Sequence, residues 1–171
     1  AFEATQQNVV NRVSGVYFQT DEVRVRGIEL EANATLWDRV NLTAAASWQD
    51  PEVTKSRTAG QVGTMPYTVP KQQQSLFVSY DLPMPDAWDG KLTIGAGARH
   101  VGKTAGDTAN SFFVPGYTLV DAFARYEHDR YSFQLNGYNL GDKTYVAGCN
   151  VSTQCYYGQG LTVVVTVKVK W

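Results

Sequence analysis

Two carboxylates that stand two positions apart, Glu29 and Glu31, have a spacing that could support acid–base chemistry. In a β-strand, side chains two residues apart point to the same face, so the two carboxylates would lie together. Acid–base catalysis also requires a substrate cleft and partner groups, and the sequence indicates neither. We therefore interpret both glutamates as structural and expect them to face a polar interior. Arg24, Arg26 or Arg99 would pair with them there.

Other residue patterns give weaker signals for chemistry. Gly95, Gly97 and Gly102 are spaced somewhat like a phosphate-binding loop, but such a loop needs a helix N-terminus after it, and the following residues favour a loop. Small residues are expected here to leave room for groups packed inside. His100 and His128 have no ligand-spaced Cys, His or carboxylate around them, and no Gly-x-Ser-x-Gly motif occurs. We predict neither a metal site nor a catalytic residue.

The two cysteines, Cys149 and Cys155, lie close together in the sequence. Their spacing favours a single disulfide formed in an oxidising compartment. Closing so short a loop would contribute roughly 2 kcal/mol to stability. Two roles remain open for the crosslinked loop: it holds a lid in shape for ligand capture, or it protects a mobile loop from proteases.

Composition and charge bound the class of protein. The chain has 171 residues, with 15 Lys and Arg against 16 Asp and Glu, so no excess charge calls for a nucleic acid partner. Frequent glycine, tyrosine and β-branched residues favour sheet over helix. The longest apolar runs, such as 163–165, are too short for a membrane-spanning helix. A mean hydropathy of −0.29 does not decide the membrane question, because strands of a transmembrane barrel expose only alternate residues to lipid.

Apolar and polar residues alternate with period two along most of the chain, which predicts half-buried β-strands. The clearest case is 161–171, where six apolar residues share one face. Val23 and Val25 have the opposite phase to the residues that follow them, which favours a β-bulge near Gly27. The pattern predicts eight strands, at residues 1–10, 22–36, 40–49, 72–82, 91–101, 117–126, 131–145 and 161–171.

The connections between these strands alternate between short and long. Outer-membrane barrels have this pattern, with short periplasmic turns and long extracellular loops. The sequence therefore predicts an all-β fold, an antiparallel transmembrane β-barrel in the bacterial outer membrane. The short connections are 37–39, 83–90 and 127–130, and the long, polar, Gly-rich ones are 11–21, 50–71, 102–116 and 146–157.

Aromatic residues stand where the predicted strands meet their connections. Rings with a polar tip favour the lipid–water boundary, and transmembrane barrels carry two girdles of them, so outer-membrane lipid is an expected partner. Trp171, at the end of the chain, would be an anchor at the membrane interface. The alternative is that these rings close the ends of a soluble core. The residues are Trp37, Trp48, Tyr80, Trp88, Tyr117, Tyr126, Tyr131, Tyr145 and Trp171.

Four segments, in this order along the chain, resemble motifs of the TonB-dependent receptors, especially the siderophore-receptor branch with hydroxamate-type ligands. Any one motif is common by chance, but the four together cover nearly the whole chain at the right spacing. Arg24 to Glu31 resembles the R-G-x-E-x-E strand, and Val114 to Asp121 the V-P-G-Y-x-x-x-D strand entry. Leu135 to Tyr145 resembles the N-x-x-N-L-x-D-K-x-Y strand, and Cys149 to Gly158 the last loop.

The resemblance implies a 22-stranded barrel of which this chain supplies about the last eight strands. Residues 1–171 would be the C-terminal part of the barrel domain, without the plug domain and TonB box. The residues from Ala1 to Thr5 lack the basic residues and the apolar stretch of a signal peptide. We therefore expect the chain to be a mature form or a piece of a longer protein. The chain departs from the family in two further respects: Trp171 stands in place of the usual Phe, and Gly160 and Leu161 stand where Arg is frequent.

The same resemblance implies a transport function. The receptor would bind a ferric siderophore outside the cell, and TonB would act on it through the missing N-terminal part. The segment itself would bind no cofactor. Aromatic residues in the external loops are candidates for contacts with a compact, mostly uncharged ligand, although they are equally typical of an ordinary folded loop. The candidates are Tyr67, Phe112, Phe113, Tyr156 and Tyr157.

Three other functions remain as alternatives. One is a complete eight-stranded small outer-membrane barrel that acts as an anchor or adhesin, since eight strands can close around side chains. In that case the segment 1–10 would have to pair with the last strand. The second is an outer-membrane hydrolase, and the third is a soluble β-sandwich that acts as a binding module.

Overall fold

β-Strands make up most of the computed structural model, which describes residues 1–13, 16–85 and 89–171. No helix in these ranges is long and apolar enough to cross a membrane. Trp88, which was predicted to join an aromatic girdle, lies outside the described residues. The strands are β1 (Phe2–Val13), β2 (Val16–Leu36), β3 (Val40–Lys55), β4 (Gln72–Leu82), β5 (Lys91–Val101), β6 (Thr104–Ala105), β7 (Phe113–Val114), β8 (Tyr117–His128), β9 (Tyr131–Tyr138), β10 (Val146–Val151), β11 (Gln154–Tyr157) and β12 (Thr162–Val169).

Eight of these strands form one antiparallel sheet in the order β1-β2-β3-β4-β5-β8-β9-β12. The two small hairpins, β6–β7 and β10–β11, belong to connections between strands of that sheet. The predicted meander of eight strands is therefore confirmed. β1 and β12 are the two edges, and within the described residues they do not pair with each other. A closed eight-stranded barrel requires that pairing, so the structure does not support this alternative.

The two faces of the sheet differ in chemistry, as the alternation predicts. The apolar face has rungs such as Ala34–Leu42–Val78–Ala96, and the polar face has rungs such as Thr35–Asn41–Ser79–Gly95. Large apolar side chains on the first face are open to the surroundings, with Leu30 60% and Val165 70% exposed. A continuous exposed apolar face across the strands of a sheet is what a lipid-facing surface requires. The polar face is then the interior side of the wall.

The hairpin of β1 and β2 is longer than a membrane crossing requires. β2 alone has 21 residues, whereas a tilted transmembrane strand needs about 9–11. Val13 pairs with Val16, so the predicted long loop at 11–21 is wrong, and the strict alternation of short and long connections fails there. The polar residues that suggested a loop belong to a paired ribbon that continues beyond the lipid, where water tolerates polar side chains on a strand. β3 likewise continues to Lys55 instead of ending at residue 49.

The predicted bulge near Gly27 is also wrong. Gly27 pairs with Gln49 in regular register, and the irregularity in the β2–β3 ladder lies between Glu22 and Val23. A Cβ atom at Gly27 would come within 2.5 Å of a backbone oxygen of β3. This glycine therefore allows two strands to approach closely and does not interrupt their pairing.

The change of phase in β2 reflects a change in surroundings. Beyond the lipid-facing part, the outward face of β2 and β3 becomes charged, and Arg24 forms an ion pair with Glu52 at 2.7 Å. On the inward face, Val23 and Val53 line a small cavity together with Met65 from the following loop. Outside the lipid, the outward side meets water and the inward side is covered by that loop. Apolar and polar residues therefore exchange faces while the pleat of the strand stays regular.

Two glycines make room for an aromatic pair on the interior face. The rings of Phe77 and Phe123 stack with centroids 5.8 Å apart. Gly97 lies beside Phe77, and a Cβ atom there would come within 2.3 Å of that ring. A Cβ atom at Gly95 would come within 2.5 Å of the Phe123 ring. The expectation that these glycines leave space for interior groups is confirmed, and a phosphate-binding loop is excluded because both glycines lie within β5.

Most of the predicted girdle residues lie on the apolar face or in a turn, but two do not. The rings of Tyr117 and Tyr145 contact each other, with centroids 4.2 Å apart, and Tyr117 shares the interior face of β8 with Asp121. Position at a strand end does not reveal the face, which explains the error. Anchoring by Trp171, which follows β12 and is fully exposed, stays a prediction. The residues on the apolar face are Trp48, Tyr80, Tyr126 and Tyr131, and Trp37 lies in the turn after β2.

Replacing Gly97 by alanine tests the packing of the interior wall. Its Cβ atom would meet both the Phe77 ring at 2.3 Å and a backbone oxygen of Leu76 at 2.5 Å, so a side-chain rotation alone cannot relieve the clash. We expect G97A to lower the free energy of unfolding by about 1–3 kcal/mol. The measurement is chemical unfolding of the full-length receptor in detergent. G141A is the matched control, because a Cβ atom at Gly141 meets nothing within 4 Å. Equal unfolding midpoints for the two variants would contradict the packing described here.

Candidate functional site

The long connections meet at the end of the sheet opposite the short turns. They are the β3–β4 loop (56–71), the β5–β8 loop (102–116) and the β9–β12 loop (139–161). The last is longer than predicted, because β9 ends at Tyr138 and not at residue 145. These three loops carry all five aromatic candidates for ligand contact. Their mutual contacts therefore decide the shape of the candidate site.

Asn110 fastens the β5–β8 loop to the β3–β4 loop. Its side-chain oxygen accepts a hydrogen bond from the Met65 N–H, and its side-chain nitrogen donates to the Met65 carbonyl oxygen, both at 2.8 Å. A second contact lies alongside, where the Thr68 N–H donates to the Ala105 carbonyl oxygen at 3.3 Å. Met65 and Ala105 are buried. The two loops therefore form one packed body.

The β5–β8 loop also has an internal structure of its own. The Gly106 N–H donates to the Phe112 carbonyl oxygen at 3.0 Å, and a Cβ atom at Gly106 would come within 2.1 Å of the Phe112 ring. The Ser111 N–H donates to Asp107 Oδ1 at 2.8 Å, and the Ser111 hydroxyl donates to the other carboxylate oxygen. These hydrogen bonds, first that of the hydroxyl, hold the pKa of Asp107 below its ordinary value. Phe112 thus contributes to the fold of its own loop.

Asn139 is the anchor of the β9–β12 loop. Its side chain is buried, and its backbone has a φ of +50°, a conformation that asparagine tolerates better than most residues. Its amide nitrogen donates to the carbonyl oxygens of Lys143 and Gln159, each at 3.0 Å, and its amide oxygen accepts from the Lys143 N–H at 3.0 Å. Its backbone N–H donates to Asp121 at 2.8 Å. One residue therefore joins both ends of the loop to the wall.

Asp121 extends this network into the interior of the wall. Its second carboxylate oxygen accepts from Arg99 Nε at 2.8 Å, so the aspartate lies between an interior cation and the base of the last loop. Beside it, the Tyr145 ring packs against Tyr117 and covers Gly158, where a Cβ atom would come within 1.9 Å of the ring. The loop base is thus fixed by an ion pair, by aromatic contact and by a glycine.

The structure joins Cys149 and Cys155 by a disulfide across the β10–β11 hairpin, which confirms the predicted pairing. Cys149 is buried. β10 packs against β7 of the β5–β8 loop, and Gly148 lies against Thr68 of the β3–β4 loop, with 3.2 Å from its ideal Cβ position to Thr68 Cγ2. The crosslinked hairpin therefore contacts both other loops. The β3–β4, β5–β8 and β9–β12 loops together form one end of the wall, which we call the mouth. The packing of the hairpin favours a role in holding the shape of this mouth.

Two of the aromatic candidates, Tyr67 and Phe113, lie on either side of Ala105 in strand β6. Tyr67 bridges to Ala105, and Ala105 pairs with Phe113, so a single residue separates the two. Both rings are partly exposed, at 40% and 46%, and the Lys103 ammonium lies 5.0 Å from the centre of the Phe113 ring. Tyr67 and Phe113 are thus placed to act together at the mouth.

The other candidates are spread more widely. Tyr156 and Tyr157 lie on β11 and are 58% and 76% exposed. Asn150 donates to the Tyr156 hydroxyl at 3.3 Å. In the part of the chain that the structure describes, no ring contact joins any two of the five candidates. Their roles in ligand binding stay a prediction, and Phe112 is the one whose packing its own loop already explains.

The expected pairing of Glu29 and Glu31 with arginines is wrong. Neither glutamate has an ion pair among the described residues, and Glu31 accepts only a hydrogen bond from Asn33 at 3.1 Å. Arg24 is an odd number of positions away from both glutamates, so it lies on the opposite face of β2. Arg99 shares their interior face, but Asp121 engages it. The alternation that predicted the strands already excluded the pairing with Arg24.

The two histidines contact other protein groups, and the ring of His128 also stacks on that of Tyr126. His100 Nδ1 lies 2.9 Å from the Thr118 hydroxyl, and His128 Nδ1 contacts the Asp89 carbonyl oxygen. Across residues 1–13, 16–85 and 89–171, no three His, Cys, Asp or Glu side chains lie close enough to hold a metal ion.

Sequence reasoning missed the residues that assemble the mouth. Asn110 was not singled out, and Asp121 and Asn139 were noticed only as parts of motifs. Their signal in the sequence is weak: a single asparagine or aspartate near a strand end, where such residues are common. Their partners lie up to 45 residues away for Asn110. Only the fold brings these groups together.

The fold and its mouth together define a class of protein. The sheet has one face suited to lipid and one polar interior face, with short turns at one end and interlocked loops at the other. These features are those of part of the wall of an outer-membrane β-barrel. Residues 1–140 match the family described as "TonB dependent receptor-like, beta-barrel". The chain belongs to this family of outer-membrane β-barrel receptors of Gram-negative bacteria.

Curated relatives point to siderophore receptors. The chain is 37% identical over 169 residues to the ferrichrome outer membrane transporter/phage receptor of Escherichia coli K12, which covers 93% of this chain and 22% of that protein. It is 33% identical over 175 residues to the ferrioxamine receptor of Yersinia enterocolitica, covering 97% of this chain and 24% of that protein. The chain therefore spans about a quarter of the length of these relatives.

Solved structures of receptors also resemble this chain. The siderophore receptor PiuA of Acinetobacter baumannii superposes with a TM-score of 0.77 at 32% identity, covering 99% of this chain and 25% of that chain. The ferric yersiniabactin uptake receptor FyuA of Yersinia pestis has a TM-score of 0.80 at 16% identity, which is a likeness of fold alone. The resemblance stated from the motifs and the predicted barrel fold are thereby confirmed.

Replacing Asn139 by alanine should loosen the base of the β9–β12 loop. The variant removes three side-chain hydrogen bonds at a buried position, and we expect a loss of roughly 2 kcal/mol or more. The measurement is chemical unfolding of the full-length receptor together with protease cleavage within 139–161. N150A is the matched control, because the exposed Asn150 side chain makes one long hydrogen bond. Unchanged cleavage in N139A would show that this residue does not anchor the loop.

The disulfide is tested by peptide mapping and by removal. Mapping without reductant should recover Cys149 and Cys155 in one linked fragment, and two free thiols would contradict the structure. The double variant C149S/C155S should lose roughly 2 kcal/mol of local stability, because the loop is no longer closed in the unfolded state. Faster protease cleavage between Val146 and Tyr157 is the expected sign. Cleavage within the β3–β4 loop serves as an internal reference.

Proposed function

We propose that the receptor containing this chain takes up ferric siderophores across the outer membrane, and that the chain forms part of its barrel wall and extracellular mouth. The relatives support this proposal, since they are a ferrichrome transporter and a ferrioxamine receptor. The observation that carries it is the 37% identity over 93% of this chain, which includes the interlocked loops. A hydroxamate-type siderophore is the ligand class that these relatives favour.

The mouth suits a compact ligand that is bound without covalent chemistry. Tyr67 and Phe113 present partly exposed rings on either side of Ala105, and Tyr156 and Tyr157 present two more on the crosslinked hairpin. Aromatic faces pack well against a ligand of low charge. We assign the chain a transport role and no catalytic one, in keeping with a family of transport receptors.

The remaining partners follow from the family. We propose that TonB acts on the receptor through polypeptide outside this chain, and that the apolar face contacts outer-membrane lipid. We assign no cofactor to the segment itself, and the ferric siderophore is cargo. From the order of the motifs we predict that these strands form the C-terminal part of the barrel. The plug domain and TonB box would then lie elsewhere in the receptor.

Growth under iron starvation tests the proposal. A strain without the intact gene should fail to grow when one ferric hydroxamate siderophore is the sole iron source, and the gene on a plasmid should restore growth. A strain supplied with excess inorganic iron is the control for general fitness. Unimpaired growth of the deletion strain on every ferric siderophore tested would remove the iron assignment and leave the barrel intact.

The same strain tests the aromatic candidates. We expect Y67A or Y157A to weaken ferric siderophore binding about fivefold, because each variant loses a ring contact worth about 1 kcal/mol. The measurement is binding of radioactive iron complexed with the siderophore by whole cells with matched receptor amounts. Y80A is the control, because Tyr80 lies on the apolar face near the opposite end of the wall. If Y80A weakens binding as much as the loop variants do, the rings at the mouth are not the contacts.

A further inference from the structure

The Tyr67 and Phe113 side chains belong to a small patch of paired backbone at the mouth. Tyr67 bridges to Ala105, which pairs with Phe113, so three segments of the chain lie side by side. The next pair in this patch, Thr104 and Val114, is buried, at 6% and 4% exposed. Neighbouring pairs point to opposite faces of a sheet, so one face packs into the loops and the other presents the two rings. The exposed face is a surface on which a ligand can rest.

Lys103 gives this face a positive charge. It stands two residues before Ala105, so its side chain points to the same face, and its ammonium lies 5.0 Å from the centre of the Phe113 ring. Within the described residues Lys103 forms no ion pair. The carboxylate of the same loop, Asp107, instead accepts hydrogen bonds from the backbone and the hydroxyl of Ser111. The charge of Lys103 is therefore not neutralised by contact with an acid in the part of the chain that the structure describes.

The contact with the ring leaves most of the bonding capacity of the ammonium unused. An ammonium has three N–H donors, and the face of an aromatic ring attracts the charge without taking the place of an oxygen acceptor. Lys103 is exposed, so its donors are open to the space beside the two rings. A ligand that rests on Tyr67 and Phe113 would meet this ammonium at its edge. Negative charge on the ligand would be attracted there, and positive charge would be repelled.

The position of this charge points to a preference within the proposed ligand class. We propose that Lys103 selects ferric siderophores by their charge, favouring anionic over neutral and neutral over cationic complexes. This inference rests on the proposed function and adds the basis of its selectivity. The rings supply contact area to every ligand of the class, whereas the ammonium distinguishes one ligand from another. Two unit charges about 6 Å apart in water interact strongly enough to change a Kd about threefold.

Three ligands with one iron-binding core test the proposal. A linear ferric trihydroxamate with a free terminal amine carries one positive charge, its N-acetyl derivative is neutral, and its N-succinyl derivative carries one negative charge. The measurement is equilibrium binding of the iron-labelled complexes to the full-length receptor in detergent at low salt. We expect the Kd to rise about threefold with each step toward positive charge, and therefore about tenfold across the set. Added salt should reduce this difference, because it screens exposed charges.

Substitutions at Lys103 separate its charge from its packing. K103M removes the charge and keeps an apolar stem against the Phe113 ring. It should bind all three complexes with similar Kd values and bind the neutral complex as well as the unchanged receptor does. K103R keeps the charge and should keep the ranking. K91M is the matched control, because Lys91 pairs with Asp81 at 2.8 Å near the opposite end of the wall, and its loss should leave the ranking unchanged.

The outcomes distinguish this inference from the proposed function. Equal Kd values of the unchanged receptor for the three complexes would overturn selection by charge and leave the transport proposal standing. A ranking that persists in K103M would also overturn it, because the selecting group would then lie elsewhere and Lys103 would only pack against Phe113. If the receptor binds none of the three complexes, the hydroxamate ligand class is wrong and this inference fails with it.

Discussion

The hydrogen-bonding demand of the backbone in lipid is the constraint on which this structure depends. Hydrocarbon offers no partner to an N–H or C=O group, so each strand must pair fully with its neighbours. The ladder between β2 and β3 accordingly runs from Leu36–Val40 to Val23–Val53 without a shift in register. Because pairing cannot be interrupted, side chains alternate strictly between the two faces. Every other property of the wall, including its interior glycines and its charged outer extension, has to fit within that alternation.

The same constraint explains which features were predictable. Eight strands, two faces and the disulfide follow from local patterns, and the structure contains all of them. The length of the β1–β2 hairpin does not, because polar residues on a paired ribbon in water look the same in sequence as polar residues in a loop. The assumed bulge near Gly27 had a similar origin: the apolar residues changed sides because the surroundings changed, and the pleat did not. Alternation predicts faces well, but the medium on each face is a property of the whole assembly.

The candidate site was predictable only in part. The aromatic residues of the loops can be found by inspection, but the polar contacts that position them join distant parts of the chain. Asn110 bonds to a residue 45 positions away, and Asn139 to one 20 positions away. Tyr117 and Tyr145 were assigned to lipid because they stand at strand ends, although they pack together inside. Such contacts are decided by tertiary structure, for which a single sequence carries little information.

The fastening of the three loops to one another has a consequence for how such receptors diversify. Met65 and Thr68 of the β3–β4 loop contact Asn110, Ala105 and Gly148 of the other two loops, so the three loops that form the rim of the mouth fit together as one unit. A chimera that imports one loop from a related receptor would separate it from the groups that fit it. Exchange of all three as a block would keep those fits. New ligand preferences should therefore arise more readily by recombination of the whole rim, or by substitutions at its exposed rings, than by swapping loops one at a time.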